Sequence, residues 1–341
     1  MKRFIIIAAV ILFVSMIGVD SAGAQEYEIK FATVAPEGST WMEVMREFDK
    51  AVREESNGRL GFRIYPGGSQ GDEPDVLRRI RTGQLNGGGF TGVGMGAIAP
   101  KVRILDSPFL FRNYDEVDLI YEKFGDRFRD EFYDNGYVLL GWAEVGFVYV
   151  FSNVPVRRPE DMRGVKMWMW EGDPVAEATF KALNVNPIPL SVTEVMTSLQ
   201  TRMIDAVYTP PMAALALQWF TRVRYMLDLP IADSAGAVLV SRRFFDRLPE
   251  DLQEILLRTG EKFMSRLTEK SREENRQSID IIDEAGVQIL DRPPQEEIAR
   301  YEEMGKQARR ELVGKLYSRE FLESVESAIE EYRSQKAAQS E

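Results

Sequence analysis

Along most of the chain, apolar positions switch between a two-residue period and a 3.6-residue period, which predicts strands alternating with helices. Tyr27-Glu28-Ile29-Lys30-Phe31-Ala32 alternates in character and reads as a first strand, closed by the turn Pro36-Glu37-Gly38-Ser39. Ser39 or Thr40 then caps a helix whose apolar face is Trp41, Val44, Met45, Phe48 and Val52. Asn57-Gly58 ends that helix, a second strand follows over 60–65, and Pro66-Gly67-Gly68 stops it. A helix over 73–82 ends at Gly83. The run Gly87-Gly88-Gly89-Phe90-Thr91-Gly92 then predicts close backbone approach at the edge of a cleft. It is no dinucleotide fingerprint, because no acidic residue sits on a following strand at the required distance.

Further strands are predicted over 137–142, 145–152, 165–170 and 204–208. Asp173-Pro174 reads as an N-cap with proline in the first helical turn, Ser191-Val192-Thr193-Glu194 as a capping box, and Pro210-Pro211 as a helix start. This alternation argues for βα units with mainly parallel sheets. Beyond Pro249 the pattern becomes helical and charged, over 250–285 and again from Pro294 to about residue 336, in helices that would wrap and join the lobes. Charge runs such as Glu269-Lys270-Ser271-Arg272-Glu273-Glu274 read as solvated faces.

The start of the chain changes the picture. Met1-Lys2-Arg3, the apolar residues 4–19 and the small residues Ala22-Gly23-Ala24 have the layout of a secretory signal, so residues 1–24 are set apart and an extracytoplasmic location is expected. Removing them leaves 341 − 24 = 317 residues, enough for two α/β lobes. The net charge of −11 becomes −11 − 2 + 1 = −12 after loss of Lys2, Arg3 and Asp20, which argues against a nucleic-acid partner. The chain has neither cysteine nor histidine. That removes disulfides, thiolate and imidazole catalysis and nearly all standard zinc sites, while a carboxylate pair stays open among 54 acidic residues.

The segment Pro159-Glu160-Asp161-Met162-Arg163-Gly164-Val165-Lys166-Met167 resembles the solute-binding proteins of tripartite ATP-independent periplasmic (TRAP) transporters, the DctP type. Further blocks agree in order and spacing: Tyr65-Pro66-Gly67-Gly68, Asp106-Ser107-Pro108-Phe109-Leu110-Phe111, Leu199-Gln200-Thr201 with Ile204-Asp205, Leu248-Pro249-Glu250-Asp251-Leu252, and Ala285-Gly286-Val287. They run from about residue 28 to residue 300. The resemblance implies a type II periplasmic-binding-protein-like fold, with two α/β lobes around a cleft, hinge strands and a long lobe-spanning helix. It also implies a periplasmic receptor that closes on a small organic ligand and delivers it to integral-membrane subunits, without catalysis or a cofactor. The corresponding division is lobe I over 25–148 with 237–276, lobe II over 149–236 with 277–334, and a polar, frayed tail over 335–341.

Three positions depart from the family pattern. Where relatives hold a carboxylate with an arginine after the Lys-hydrophobic pair, this chain has Trp168; the family asparagine is Thr209; an auxiliary arginine is Val148. A carboxylate buried without a cation or several donors costs several kcal/mol, so a small dicarboxylate is disfavoured. Aromatic and apolar residues nearby suit a hydrophobic or amphipathic ligand instead. The expected ligand-binding set is Trp168, Trp170, Tyr208 and Thr209, with Pro210, Met212 and Thr91, and with Trp142, Glu144 and Phe147 from the earlier strand pair. Asp173 reads as a helix cap, and Met169 as core. A metal-using branch of the family places an acidic residue and a tryptophan where this chain has Tyr208 and Thr209, so no metal is expected.

Alternatives stay open at this stage. The ligand could be a small organic acid with its cation drawn from Arg103 or Arg81, or the receptor could serve sensing. A homodimer through Leu312, Val313, Leu316, Phe321, Leu322 and Val325 is compatible with their helical spacing, as is packing onto their own lobe.

Overall fold

The computed structural model describes residues 25–340, so the signal expected over 1–24 lies outside the described residues. The strands are β1 (Tyr27–Ala32), β2 (Leu60–Tyr65), β3 (Gly87–Thr91), β4 (Tyr137–Trp142), β5 (Gly146–Ser152), β6 (Trp168–Trp170), β7 (Ile188–Leu190), β8 (Ala206–Thr209), β9 (Tyr225–Leu227), β10 (Ala232–Ser234), β11 (Gly236–Ser241) and β12 (Gln288–Leu290). Helices α1 (Thr40–Glu55), α2 (Glu73–Arg81), α3 (Gly92–Gly96) and α4 (Tyr114–Asp134) belong to the first half. They are followed by α5 (Pro174–Ala182), α6 (Val195–Gln200), α7 (Pro211–Ala216), α8 (Arg242–Phe245), α9 (Glu250–Glu284), α10 (Gln295–Glu311) and α11 (Arg319–Ser340).

The strands form two principal sheets, one per lobe. Lobe I holds the order β2-β1-β3-β11-β4, and lobe II the order β10-β5-β9-β12 with β8 also on β5. The expectation of mainly parallel sheets is corrected. β1 is parallel to β2 and β3, but β11 runs antiparallel to β3 and β4, and β5 runs antiparallel to β8, β9 and β10. The reason is connectivity: β11 and β5 enter their sheets from the opposite lobe, so they meet neighbours head to tail. The two crossings, from β4 into β5 and from β10 into β11, are tied where Ala143 N–H donates to Gly236 O (2.8 Å) and Val145 N–H to Ser234 O (2.9 Å). Two hydrogen-bonded extended segments between compact bodies form a hinge.

The 35-residue α9 spans both lobes, about 50 Å at 1.5 Å per residue. Leu252, Leu256, Met264 and Leu267 bury against lobe I beside Phe48 and Leu140, whereas Ile282 lies in the lobe II cluster with Trp168 and Trp219. Between them Asn275 sits at the hinge, donating to Val145 O (2.7 Å) and accepting from Met212 N–H (3.0 Å).

The C-terminal region differs from expectation in three respects. The helical pattern breaks between α10 and α11, where Gly314 takes φ of +82°. Residues 319–334 do not belong with lobe II, because α11 packs on α4: Phe321 meets Phe124 edge-on at 5.4 Å and Arg333 pairs with Glu116 at 2.7 Å. Residues 335–340 continue α11 rather than forming a separate tail. Of the six residues weighed for a dimer contact, Leu312, Phe321, Leu322 and Val325 are buried in the core of their own chain, and Val313 and Leu316 pack half-buried against it.

Candidate functional site

A cavity of about 200 Å³ lies between the lobes, and its two walls have different chemistry. The lobe II wall is aromatic, apart from the carboxylates of Asp173 and Asp233. β6 pairs in parallel with β7, matching Trp168 to Ile188 and Trp170 to Leu190, so period-two alternation puts both indoles on one face. Trp168 stacks on Tyr208 (4.9 Å between centroids, 21° between planes), meets Trp219 edge-on at 5.4 Å, and donates its Nε1–H to Leu190 O at 3.0 Å. Trp170 N–H donates to the Tyr208 hydroxyl at 3.2 Å. Burial, followed by the nearby Asp173 carboxylate, raises the Tyr208 pKa, so the phenol stays neutral. Thr209, Pro210 and Met212 continue this wall where β8 runs into α7.

The lobe I wall carries charges that are matched within the protein. Arg103 is 3 % exposed; its Nε donates to Asp106 Oδ2 at 2.9 Å and its Nη2 reaches across to Asp173 Oδ1 of lobe II at 2.8 Å. Burial opposes the charged guanidinium, but the two carboxylates outweigh it and its pKa is raised. Burial pushes Asp106 up to about 6 although Arg103 pulls the other way. Asp106 also accepts from Ala235 N–H at 3.0 Å, and Asp173 caps α5 by accepting from Val175 N–H (2.9 Å). Glu73 accepts from the Thr91 and Gly94 backbone N–H groups at 2.8 and 2.7 Å, yet burial raises it to about 8.

Two glycines of the predicted small-residue passage fit this wall. A Cβ on Gly89 would stand 2.2 Å from the Trp41 ring, and one on Gly92 would stand 2.0 Å from Asp106 Oδ2. Real Cβ atoms do not approach so closely, so side chains here would displace a cavity-lining indole and the Asp106–Arg103 pair.

A clasp joins the walls at the rim. Asp72 caps α2, its Oδ1 accepting from Glu73 N–H at 2.7 Å. Its Oδ2 accepts three donors from lobe II: Trp170 Nε1–H (3.0 Å), the Ser191 hydroxyl (2.7 Å) and Val192 N–H (3.1 Å). The sequence reading missed Asp72. The local signal, an acidic residue before Glu73-Pro74 with Asp75 at the third helical position, announces a cap but not partners about 100 residues away.

Of the ten expected ligand residues, seven line the cavity: Thr91, Trp168, Trp170, Tyr208, Thr209, Pro210 and Met212. The other three do not, and the alternation of the crossing strands is the reason. Ala143 and Val145 face the cavity before Gly146, whose φ of +116° resets the alternation so that Val148 faces it afterwards, and this turns Trp142, Glu144 and Phe147 away under α4. Trp142 packs among Tyr121, Phe128 and Phe132, and Phe147 lies 4.6 Å from the Tyr114 ring. Glu144 is 1 % exposed and held bidentately by Arg272 at 2.9 and 2.7 Å. Arg81 lies away from the cleft, in a separate surface pocket with Tyr137 and Arg243.

With this geometry in place, comparison with known proteins is specific. The family model DctP, bacterial extracellular solute-binding protein, family 7, matches residues 31–315. The chain is 26 % identical over 247 residues to the 2,3-diketo-L-gulonate-binding periplasmic protein YiaO of Escherichia coli, covering 72 % of this chain and 75 % of that one. It is 25 % identical over 289 residues to the C4-dicarboxylate-binding periplasmic protein DctP of Rhodobacter capsulatus, covering 82 % and 85 %. A TRAP periplasmic solute-binding protein of Haemophilus influenzae with bound L-gulonate superposes with a TM-score of 0.82 at 20 % identity, covering 89 % of this chain and 99 % of that one. One from Desulfovibrio salexigens with bound orotic acid gives the same TM-score, identity and coverage. The chain therefore belongs to the DctP family of bacterial extracellular solute-binding proteins, the periplasmic receptors of TRAP transporters.

Proposed function

We propose that this receptor takes a hydrophobic or amphipathic organic molecule into the aromatic cavity between its lobes and delivers it to TRAP membrane subunits, after export by the signal expected over 1–24. The observation that carries the reading is the aromatic group in which Trp168, standing where the family resemblance places a carboxylate-holding arginine, stacks on Tyr208 and meets Trp219 edge-on. Burying about 150 Å² of apolar ligand surface supplies roughly 4 kcal/mol, so binding does not depend on a salt bridge. The residues assigned to ligand contact are Trp168, Trp170, Tyr208, Thr209, Pro210, Met212 and Thr91.

A second reading keeps the acidic ligands named for relatives, such as L-gulonate, orotic acid and C4-dicarboxylates, with Arg103 as the cation. Its support is the presence of Arg103 in the cavity wall; against it, both sides of that guanidinium already carry carboxylates. Native mass spectrometry of mature protein purified from cells, followed by solvent extraction, separates the two. Release of a hydrophobic molecule at about one per chain supports the first, and release of a small hydrophilic acid sinks it. Trp168→Arg should weaken binding of the extracted molecule at least tenfold, and unchanged affinity would remove Trp168 from the site.

A further inference from the structure

We propose that Asp173 is a specificity determinant: reaching from lobe II, its carboxylate occupies the anion-accepting side of Arg103 and closes the cavity to ligands that carry a negative charge. This rests on the interlobe cavity being the ligand site. The argument is one of charge and geometry. Arg103 is the only basic residue among the cavity-lining residues, whose acidic members are Glu73, Asp106, Asp173 and Asp233. Arg103 with Asp106 alone is neutral; Asp173 at 2.8 Å makes the triad one net negative charge. An incoming carboxylate would have to replace Asp173 at Nη2, leaving that buried carboxylate to the α5 N-terminus alone, or lie beside it unpaired.

Asp173 also explains how a lone buried arginine is tolerated without a ligand. Guanidinium and carboxylate come from different lobes, so the pair forms when the lobes meet and supplies from within the protein the anion a ligand would otherwise bring. The neighbouring contacts fix both partners: Asp106 holds Arg103 from the other side, and the Val175 and Ala176 backbone N–H groups hold Asp173 Oδ1 at 2.9 and 3.3 Å. A receptor built in this way selects neutral or cationic molecules.

The test uses Asp173→Asn, which keeps a capping oxygen for α5, and Asp173→Ser, which caps equally well. Mature wild type and both variants are titrated calorimetrically with orotate and orotamide, and with pyroglutamate and its amide. Taking the ratio of acid to amide affinity cancels any change in lobe closure. The wild type should favour the amides, and both variants should move the ratio toward the acids by about tenfold or more, as expected for removing one charge at contact distance in a partly screened site. A wild type that prefers the acids overturns the proposal. So does an unchanged ratio, or no acid binding, in variants whose melting shows them folded. Failure of the apolar-ligand reading is distinguishable, because an uncharged hydrophilic molecule extracted from the wild type would sink that reading and leave this one standing.

Discussion

The two walls of the cavity solve the problem of facing a dry space in opposite ways. Lobe II presents rings that need few partners: Trp168 stacks on Tyr208 and meets Trp219 edge-on, with the Trp168 indole N–H and the Tyr208 hydroxyl bonded at the ring edges. Lobe I presents ionisable groups, and each is answered by a partner fixed in the fold, Arg103 by two carboxylates and Glu73 by two backbone N–H groups. The aromatic wall can be trimmed or enlarged with local consequences. The charged wall hangs on Arg103, because removing that one cation leaves two buried carboxylates unmatched.

That contrast can be broken most directly at Arg103. Arg103→Ala should cost about 3–5 kcal/mol, since Asp106 and Asp173 would remain buried without their cation. Urea unfolding of the mature protein measures it, and a loss under about 1 kcal/mol would mean that the wall does not hang on this cation. A smaller effect is expected at the rim. Asp72→Ala removes the acceptor shared by Trp170, Ser191 and Val192, together with the α2 cap, and should lower stability by about 1–3 kcal/mol. Ligand dissociation, followed by stopped flow, should accelerate at least several-fold, whereas Ser191→Ala should give only a fraction of that.

A third test, read as a slope in pH and not as a loss at one pH, sharpens the comparison. Glu73 is held protonated by burial, with a folded pKa of about 8 against an ordinary 4.5. A raised folded pKa means that its contribution is fully present below about 4.5 and is lost as pH rises toward 8. Thermal melts should therefore fall across that interval for the wild type and flatten in Glu73→Gln, even if the variant is less stable throughout. An identical slope in both would place the titration elsewhere.

The sequence made the helices and first strands legible because each is specified locally, by caps, turns and period: α1, α2, β1, β2, β4 and the start of α9 lie within two residues of expectation. Short strands such as β9, β10 and β12 passed unnoticed, since three residues carry no period and exist only because a neighbouring strand pairs with them. At the site, the residues at β6 and at the end of β8 reach the cavity. Trp142, Glu144 and Phe147 were assigned to it by proximity along the chain to a crossing strand. Which face of a crossing strand meets the cleft depends on the partner lobe, and no local signal encodes that. The same holds for Asp173, whose capping role is written beside Pro174 while its bond to Arg103 spans 70 positions.

The clasp at Asp72 also bears on how the protein can be watched. The chain has five tryptophans, and four of them, Trp41, Trp168, Trp170 and Trp219, line the cavity; only Trp142 is packed elsewhere. Separation of the lobes would take the Trp170 indole from a carboxylate into water and uncover its neighbours, while Trp142 stays in its core surroundings. Intrinsic emission is thus almost wholly a signal from the cleft, and opening, closing and occupancy can be followed in the unlabelled protein by colour alone.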